Sequence, residues 1–156
     1  MANVNNGDVF SISFDAGHFR CYVGPNGTLP TRSHHSAGYD LYTSQDVRLD
    51  PLCVTKVPTA IHSDFPPDVV ALVWDRSSMA QKGIHTFAGV IDSDYRGEWQ
   101  VLLYNSNVDP FTFSTGDRVA QVLLHQLSPI EMIQAGSLSE LTDSDRGSGG
   151  FGSTGV

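Results

Sequence analysis

The sequence predicts an all-β protein, and three observations carry that prediction. Short segments rich in β-branched and aromatic residues recur at intervals of roughly 8 to 12 residues, with Gly, Pro or Asp between them. No alternation of strands with long helices and no internal repeat accompanies these segments. A chain of 156 residues also suits one domain with a modest core. Together these features favour a sandwich or barrel of short strands.

The first half of the chain contains four candidate strands. Residues 9–14 alternate between apolar and polar side chains and predict a strand, which a connection rich in Gly and Pro follows. Small residues lead into a second short strand that ends at Tyr42. Residues 47–60 are β-branched but broken by prolines, which is typical of an edge or bulged strand. The apolar run 68–74 indicates a buried strand.

The second half begins with a basic, hydroxyl-rich loop after Trp74. Its residues 76–81 predict a short helix capped by Ser77 or Ser78, whose N-terminal amides suit an anion. A hairpin follows, with its tip at 89–97. The remaining elements are the second arm of the hairpin at 98–105, strands at 111–113 and 119–124, and a short, weak helix at 137–142.

Composition and charge exclude several partners. Seventeen acidic residues against nine Lys and Arg give a net charge of −8, so long-range attraction to nucleic acid is not expected. The N-terminus lacks the features of a signal peptide, and no apolar run approaches the roughly 20 residues that span a bilayer. We therefore expect an intracellular protein, cytoplasmic or nuclear, without a membrane partner. Cys21 and Cys53 form neither a metal spacing nor a disulfide framework and are expected as core thiols.

The hairpin tip combines turn-forming residues with chemically active side chains. Between its glycines stand two carboxylates, Asp92 and Asp94, followed by Tyr95 and Arg96. Glycine permits tight turns and close ligand approach, and Asp stabilises turns through local hydrogen bonds. The tip is therefore either a solvated acidic turn or a functional site. Asp94 is favoured as a turn former over a second catalytic acid.

The last residues, 143–156, are too rich in glycine to contribute to a core. Two interpretations remain open: a frayed terminus, or a tail that becomes ordered over a bound ligand. The second interpretation rests on Arg146, Phe151 and several hydroxyls that lie among glycines. Glycine amides can approach phosphate oxygens closely because no Cβ obstructs them.

Five segments of the chain, in order, resemble the five motifs of trimeric dUTPases. These segments are SAGYDLY (36–42), DRSSMAQKGI (75–84), GVIDSDYRGEWQVLLYN (89–105), GDRVAQVLL (116–124) and RGSGGFGSTG (146–155). The resemblance implies a jelly-roll-like, distorted β-barrel that forms a homotrimer, with three active sites at the junctions between subunits. It also implies three regions, namely an N-terminal strand with its connection (1–30), the barrel (31–142) and the tail (143–156).

The reaction implied by the resemblance is hydrolysis of dUTP to dUMP and diphosphate, with Mg²⁺ bound to the triphosphate. Asp92 would activate the water that attacks the α-phosphorus, and Asp40 would contact Mg²⁺ through water. Tyr95 would pack on the deoxyribose and leave no room for a 2′-hydroxyl. The backbone that would bond the uracil edge belongs to Gly89, Val90 and Ile91.

The triphosphate contacts implied by the resemblance come from several segments. Charge-assisted bonds from arginine, together with backbone amides, stabilise charge on a transferring phosphoryl group. In the tail, Arg146 would clamp the γ-phosphate and Phe151 would stack on the uracil, so that closure excludes water. The other contacts would come from Arg76, Ser77, Ser78 and Gln121, and from Ser148, Gly149, Gly152, Ser153 and Thr154 in the tail.

The chain departs from the family pattern at the start of the second motif. Asp75 stands where many members have Pro or Gly, and Ser78 stands where many have Gly. Asp75 is also adjacent to Arg76. A pairing between these two side chains would reduce the charge that Arg76 offers to a phosphate.

Two other functions remain open. dCTP deaminases share the fold and an RSS-x-A segment, but they carry a glutamate in the arm after the hairpin, where this chain has Leu102. Without that acid, release of ammonia has no evident proton carrier. The other alternative is a dUTPase-like interaction protein, because fold alone does not establish function. The feature that favours this alternative is the ending 153–156, STGV, which resembles a PDZ ligand.

Overall fold

The computed structural model describes the backbone of residues 10–14 and 17–149 and the side chains of residues 19–149. These residues contain twelve strands, one four-residue α-helix and one 3₁₀ turn. The elements are β1 (Phe10–Phe14), β2 (Gly17–Val23), β3 (Tyr39–Tyr42), β4 (Val47–Leu49), β5 (Val54–Pro58), β6 (Ile61–Asp64), β7 (Val69–Trp74), α1 (Ser77–Ala80), β8 (Ile84–Phe87), β9 (Val90–Ile91), β10 (Gln100–Asn105), β11 (Phe111–Phe113), β12 (Arg118–Gln126) and the 3₁₀ turn Leu138–Glu140.

The strands form four sheets, and every pairing is antiparallel, which confirms the predicted all-β class. The largest sheet has the order β3-β12-β7-β9, and the others have the orders β5-β10-β8, β1-β2-β6 and β11-β4. Among the described residues, no helix is long and apolar enough to cross a membrane.

One apolar core joins residues from all four sheets. Strand β10 is an example of how a strand contributes to this core. Its alternating pattern buries Val101 and Leu103 and leaves Leu102 and Tyr104 partly accessible. Trp99, just before β10, is 1% exposed. Its indole N–H donates to Ser63 Oγ at 3.0 Å, and its ring meets the edge of Phe19 at 6.1 Å between centroids. The large aromatic group is thus buried with its polar atom satisfied.

The structure has two strands before the connection rich in Gly and Pro, whereas the sequence predicts one. The additional strand, β2, pairs with β1 on one side and with β6 on the other. Its residues Phe19 and Cys21 belong to the core. The core therefore includes residues before 31, the position at which the sequence places the start of the barrel.

The two cysteines differ in their surroundings. Cys21 is buried on β2, as predicted, and burial raises the pKa of its thiol to about 11. Cys53 is exposed, so the prediction of a second core thiol is wrong. It follows a turn at Pro51 and Leu52, where Leu52 has a φ of 55°, and this turn leads the chain away from the core before β5 begins.

The predicted hairpin is divided between two sheets. Strand β10 pairs with β8, but the apolar pair Val90 and Ile91 forms β9, which pairs with β7 instead. The residues between β8 and β10 therefore pass from one sheet to another. This crossing brings them against the end of β7, from which the second predicted functional segment begins.

Residues 127–149, the described part of the chain after β12, lie outside the four sheets. The helix predicted at 137–142 is only a 3₁₀ turn, Leu138–Glu140. This segment, 127–141, is called the apolar arm below. Its exposed large apolar side chains are Leu127, Ile130, Met132, Ile133, Leu138 and Leu141.

Candidate functional site

Residues 88–99, between β8 and β10, form the site loop. Its first turn depends on Gly89, which has a φ of 117°. A Cβ atom there would lie 2.7 Å from the carbonyl oxygen of Val73 on β7. The two backbones are this close because Val73 N donates to Gly89 O at 2.8 Å. Glycine is therefore required by both the conformation and the space.

The tip of the site loop is a tight turn from Asp92 to Tyr95. Tyr95 N donates to Asp92 O at 3.1 Å, and Asp94 occupies the third position of this turn, consistent with its predicted role as a turn former. The ring of Tyr95 lies against Gly97, where any Cβ would collide with it. The Tyr95 hydroxyl also donates to Glu98 O at 3.1 Å. The loop therefore holds the ring in one orientation.

Strand β6 supports the site loop from behind. Arg96 donates to Asp64 Oδ1 at 3.1 Å and to Ser93 O at 2.7 Å, so one side chain connects the tip to β6. Asp64 also pairs with Arg20 on β2. The sequence does not predict this network, because its three charges come from β2, β6 and the site loop, and the antiparallel register of β2 and β6 places Arg20 beside Asp64.

The predicted base, sugar and water-activating residues line one cavity of about 230 Å³. The site loop forms one wall, and β8 and β10 form the other. Asp92 and Tyr95 are exposed at this cavity, and the buried Trp99 also lines it. The predicted residues that it brings together are Gly89, Val90, Ile91, Asp92 and Tyr95.

Residues 75–78, from the end of β7 through the first two residues of α1, form the phosphate loop. Helix α1 starts at Ser77, and Arg76 occupies the N-cap position without a side-chain cap bond. The prediction that Ser77 or Ser78 caps the helix is therefore wrong, since Arg76 already has the extended backbone that precedes a first turn. Ser77 and Ser78 are exposed, whereas Met79 is buried and connects the helix to the core.

Arg76 is held by Asp40 on β3 and not by its neighbour Asp75. Arg76 Nε donates to Asp40 Oδ1 at 2.8 Å, and Arg118 donates to Asp40 Oδ2 at 3.2 Å. Arg76 and Asp40 are both largely buried, with side chains 19% and 26% exposed. The phosphate loop thus begins with an arginine whose position is set by a carboxylate on another strand.

Asp75 points towards β8. Its carboxylate accepts hydrogen bonds from His85 Nδ1, at 3.0 Å, and from Thr86 N. Partial burial by itself raises the pKa of Asp75, but the bonds from Thr86 and His85 outweigh it and lower the pKa below its ordinary value. Asp75 therefore does not pair with Arg76, whose partner is Asp40. Gln121 Nε2 on β12 donates to Asp75 O at 2.8 Å, so Gln121 is also attached to this loop.

The two loops approach each other at a second cavity, of about 540 Å³. Asp75 and Gln121 line it from the phosphate loop side, and Gly89 and Val90 line it from the site loop side. Arg76 instead lines a third cavity, of about 300 Å³, away from Asp92. One chain therefore holds the parts of the predicted site side by side without enclosing a single pocket.

Of the tail, the structure describes residues up to 149. Arg146 Nε donates to Gly149 O at 2.8 Å within a series of turns, and Arg146 and Ser148 are exposed. Phe151, Gly152, Ser153 and Thr154 lie outside the described residues.

The donor set suits a Mg²⁺ ion that is held mainly by something other than the protein. In the described part of the chain, no group of three or more His, Cys, Asp or Glu side chains could hold a metal ion. Both oxygens of Asp40 already accept bonds from arginines. A contact from Asp40 to Mg²⁺ through water fits this geometry better than direct ligation.

The fold and the two loops define a small all-β protein of jelly-roll-like type with a loop-built site. The family model for dUTPase matches residues 26–155, and the chain belongs to the dUTPase family. The chain is 45% identical over 132 residues to the deoxyuridine 5'-triphosphate nucleotidohydrolase of Debaryomyces hansenii, covering 83% of this chain and 82% of that protein.

Solved dUTPase structures have the same fold. The dUTPase of Staphylococcus bacteriophage 80alpha, solved with dUpNHpp, superposes with a TM-score of 0.80 at 23% identity and covers 88% of this chain and 98% of that one. A mutant dUTPase of phage phi11 of S. aureus, described with a structural Mg(II) ion, has a TM-score of 0.72 at 20% identity and covers 77% and 97%. These structures establish the fold of the chain.

Proposed function

We propose that this protein hydrolyses dUTP to dUMP and diphosphate. The observation that carries the proposal is the site loop, which gathers Asp92, Tyr95 and the Gly89 backbone around one cavity beside the phosphate loop. Membership of the dUTPase family and the name of the D. hansenii relative support the same reaction. The roles of individual residues follow from the chemistry of these two loops.

Asp92 is proposed as the group that activates the attacking water. Its carboxylate is exposed at the edge of the cavity, where a water molecule can reach it. A carboxylate in that position can orient water towards the α-phosphorus and accept its proton. Tyr95, whose ring is held by Gly97 and Glu98, would form the flat wall that excludes a ribose 2′-hydroxyl.

The polyphosphate is proposed to bind at the phosphate loop. Arg76 would stabilise charge on the phosphates, with the exposed Ser77 and Ser78 and the amides of the first turn beside it. Mg²⁺ bound to the triphosphate would neutralise part of its charge, and Asp40 would contact the ion through water. The tail would close over the ligand, with Arg146 exchanging its bond to Gly149 O for a phosphate contact.

A homotrimer with shared active sites is proposed on the same grounds. Arg76 and Asp92 line different cavities in one chain, so another copy would be needed to bring these functions together. Trp74 and Val90, which line the second cavity, are 57% and 68% exposed. The apolar arm carries further exposed apolar side chains. Apolar surface of this kind marks protein interfaces.

A diphosphate-release assay on dUTP tests the function. Asp92→Asn should lower kcat by about a hundredfold or more, whereas Asp94→Asn, in the same turn, should change it less than about threefold. Undiminished turnover by Asp92→Asn would refute the assigned base. Mixing refolded Asp92→Asn and Arg76→Ala chains should restore activity above that of either parent if sites are shared between copies.

The same assay distinguishes the alternatives. Leu102 lines the cavity of about 230 Å³ and offers no group that could carry a proton to a leaving amine. Ammonia released from dCTP would therefore overturn the proposal in favour of a deaminase. Absence of turnover on both nucleotides, with dUTP still bound, would instead indicate an interaction protein.

A further inference from the structure

We propose that Asp75 is a positioning residue, which with His85 clamps the phosphate loop to β8 and thereby sets the geometry of the polyphosphate subsite. This inference rests on the proposed function. It concerns a residue type that differs from the Pro or Gly noted above for many family members.

The phosphate loop has little structure of its own. Helix α1 has only four residues, and its N-cap residue makes no side-chain cap bond. So short a helix is not stable by itself, because nucleation costs more than the few hydrogen bonds return. The position of its first amides must therefore be determined by contacts from outside the helix.

Asp75 supplies such contacts to two other strands. Its carboxylate accepts from Thr86 N and from His85 Nδ1, both on β8, and its carbonyl oxygen accepts from Gln121 on β12. The carboxylate is 31% exposed, so these bonds are only partly screened by solvent. Asp75 therefore joins the end of β7 to both β8 and β12.

The neighbouring residue is held in a different direction. Arg76 reaches Asp40 on β3, whereas Asp75 reaches β8, so consecutive side chains diverge from the point where β7 ends. A proline at position 75 would restrict the backbone through its fixed φ, whereas Asp75 restricts the backbone through the hydrogen bonds of its side chain. If the bonds of Asp75 are lost, Arg76 keeps its own partner but the backbone between β7 and α1 gains freedom.

A positioning residue should affect one ligand more than another, whereas a general structural role should affect both ligands equally. Asp75→Ala should weaken binding of dUpNHpp, a dUTP analogue with a full triphosphate chain, by about fivefold or more. Binding of dUMP should change less than about twofold, because the site loop does not depend on Asp75. Asp75→Asn keeps an acceptor for Thr86 N, so its affinity for dUpNHpp should lie between those of the wild type and Asp75→Ala. Both dissociation constants are measured by isothermal titration calorimetry.

Two controls make the experiment decisive. Asp50→Ala removes an exposed aspartate that pairs with Arg48 and lines none of the three cavities, and it should leave both affinities unchanged. If Asp75→Ala does not fold, Asp75→Asn and His85→Gln carry the same comparison. Equal weakening of both ligands, or of neither, would overturn the positioning role. Lack of dUTP hydrolysis by the wild-type protein would instead refute the proposed function, which is a separate result.

Discussion

The phosphate loop and the site loop are held by different forces. The phosphate loop depends on side-chain charges that are partly buried, since Arg76 pairs with Asp40 and Asp75 with His85. The site loop depends on backbone shape, with Gly89 against β7 and Gly97 beneath Tyr95. It also has a charge pair, between Arg96 and Asp64, but Arg96 is 57% exposed.

This difference predicts which kind of substitution would destabilise each loop. An exposed ion pair contributes only about 0 to 1 kcal/mol, because solvent screens it and ordering two long side chains costs entropy. Removing one partner of a buried pair costs more, because the other charge is left without compensation. The phosphate loop should therefore respond to changes of charge, and the site loop should respond to changes of backbone shape.

The largest effect is expected from Gly89→Ala. The added Cβ would meet Val73 O at 2.7 Å, and a φ of 117° is strained for any residue with a side chain. We expect a loss of about 2 to 4 kcal/mol in the free energy of unfolding, measured by urea denaturation.

Gly116→Ala is the matched control for this change. Gly116 has a φ of 87° but open space around it, so the substitution adds strain without a collision. Its cost should be about 1 kcal/mol. Equal costs for the two variants would mean that the approach of the site loop to β7 does not matter.

A smaller effect, and one that depends on pH, is expected from Asp75→Asn. The pKa of Asp75 is lowered in the folded protein, so its ionised form stabilises the fold above the unfolded pKa. This contribution is present at neutral pH and is lost as pH falls below about 4, through the lowered pKa. The difference in unfolding free energy between wild type and Asp75→Asn should therefore narrow in acid.

Other carboxylates do not contribute to the difference in unfolding free energy between the two proteins. Asp46, whose pKa is lowered by its hydrogen bonds with Thr115, is present in both proteins and its effect cancels. A difference that stayed constant from neutral pH down to about pH 2.5 would mean that the charge of Asp75 is not what holds the phosphate loop.

The smallest effect is expected from Asp64→Asn. It removes the carboxylate shared by Arg20 and Arg96, but both arginines are more than half exposed. Stability should fall by at most about 1 kcal/mol, and less at high salt. A loss above about 2 kcal/mol would contradict the contrast between the two loops and show that charge holds the site loop as well.

The sequence was informative where the signal is local. A continuous apolar run identifies β7, alternation of apolar residues identifies β10, and the glycines and acids of the site loop mark its turn. Strand β2 was missed because its segment carries polar residues and one of its two partners, β6, lies about forty residues away. Its interaction depends on topology rather than on local preference.

The same reason explains the errors at the phosphate loop. From sequence, Arg76 has Asp75 as its nearest carboxylate, yet in the structure it pairs with Asp40, 36 residues away. Asp75 pairs with His85 on the opposite side. Neighbours in sequence point in different directions at the end of a strand, so the choice of partner depends on which strands lie alongside.

The contrast between the two cysteines provides a spectroscopic probe of the proposed trimer. Cys21 is buried with a pKa raised to about 11, whereas Cys53 is exposed just after a turn, so a thiol-reactive spin label at neutral pH should modify only Cys53. In a trimer with threefold symmetry, the three labels are equivalent and separated by a single distance. Pulsed electron paramagnetic resonance would measure that distance in the native chain, without any substitution in either loop.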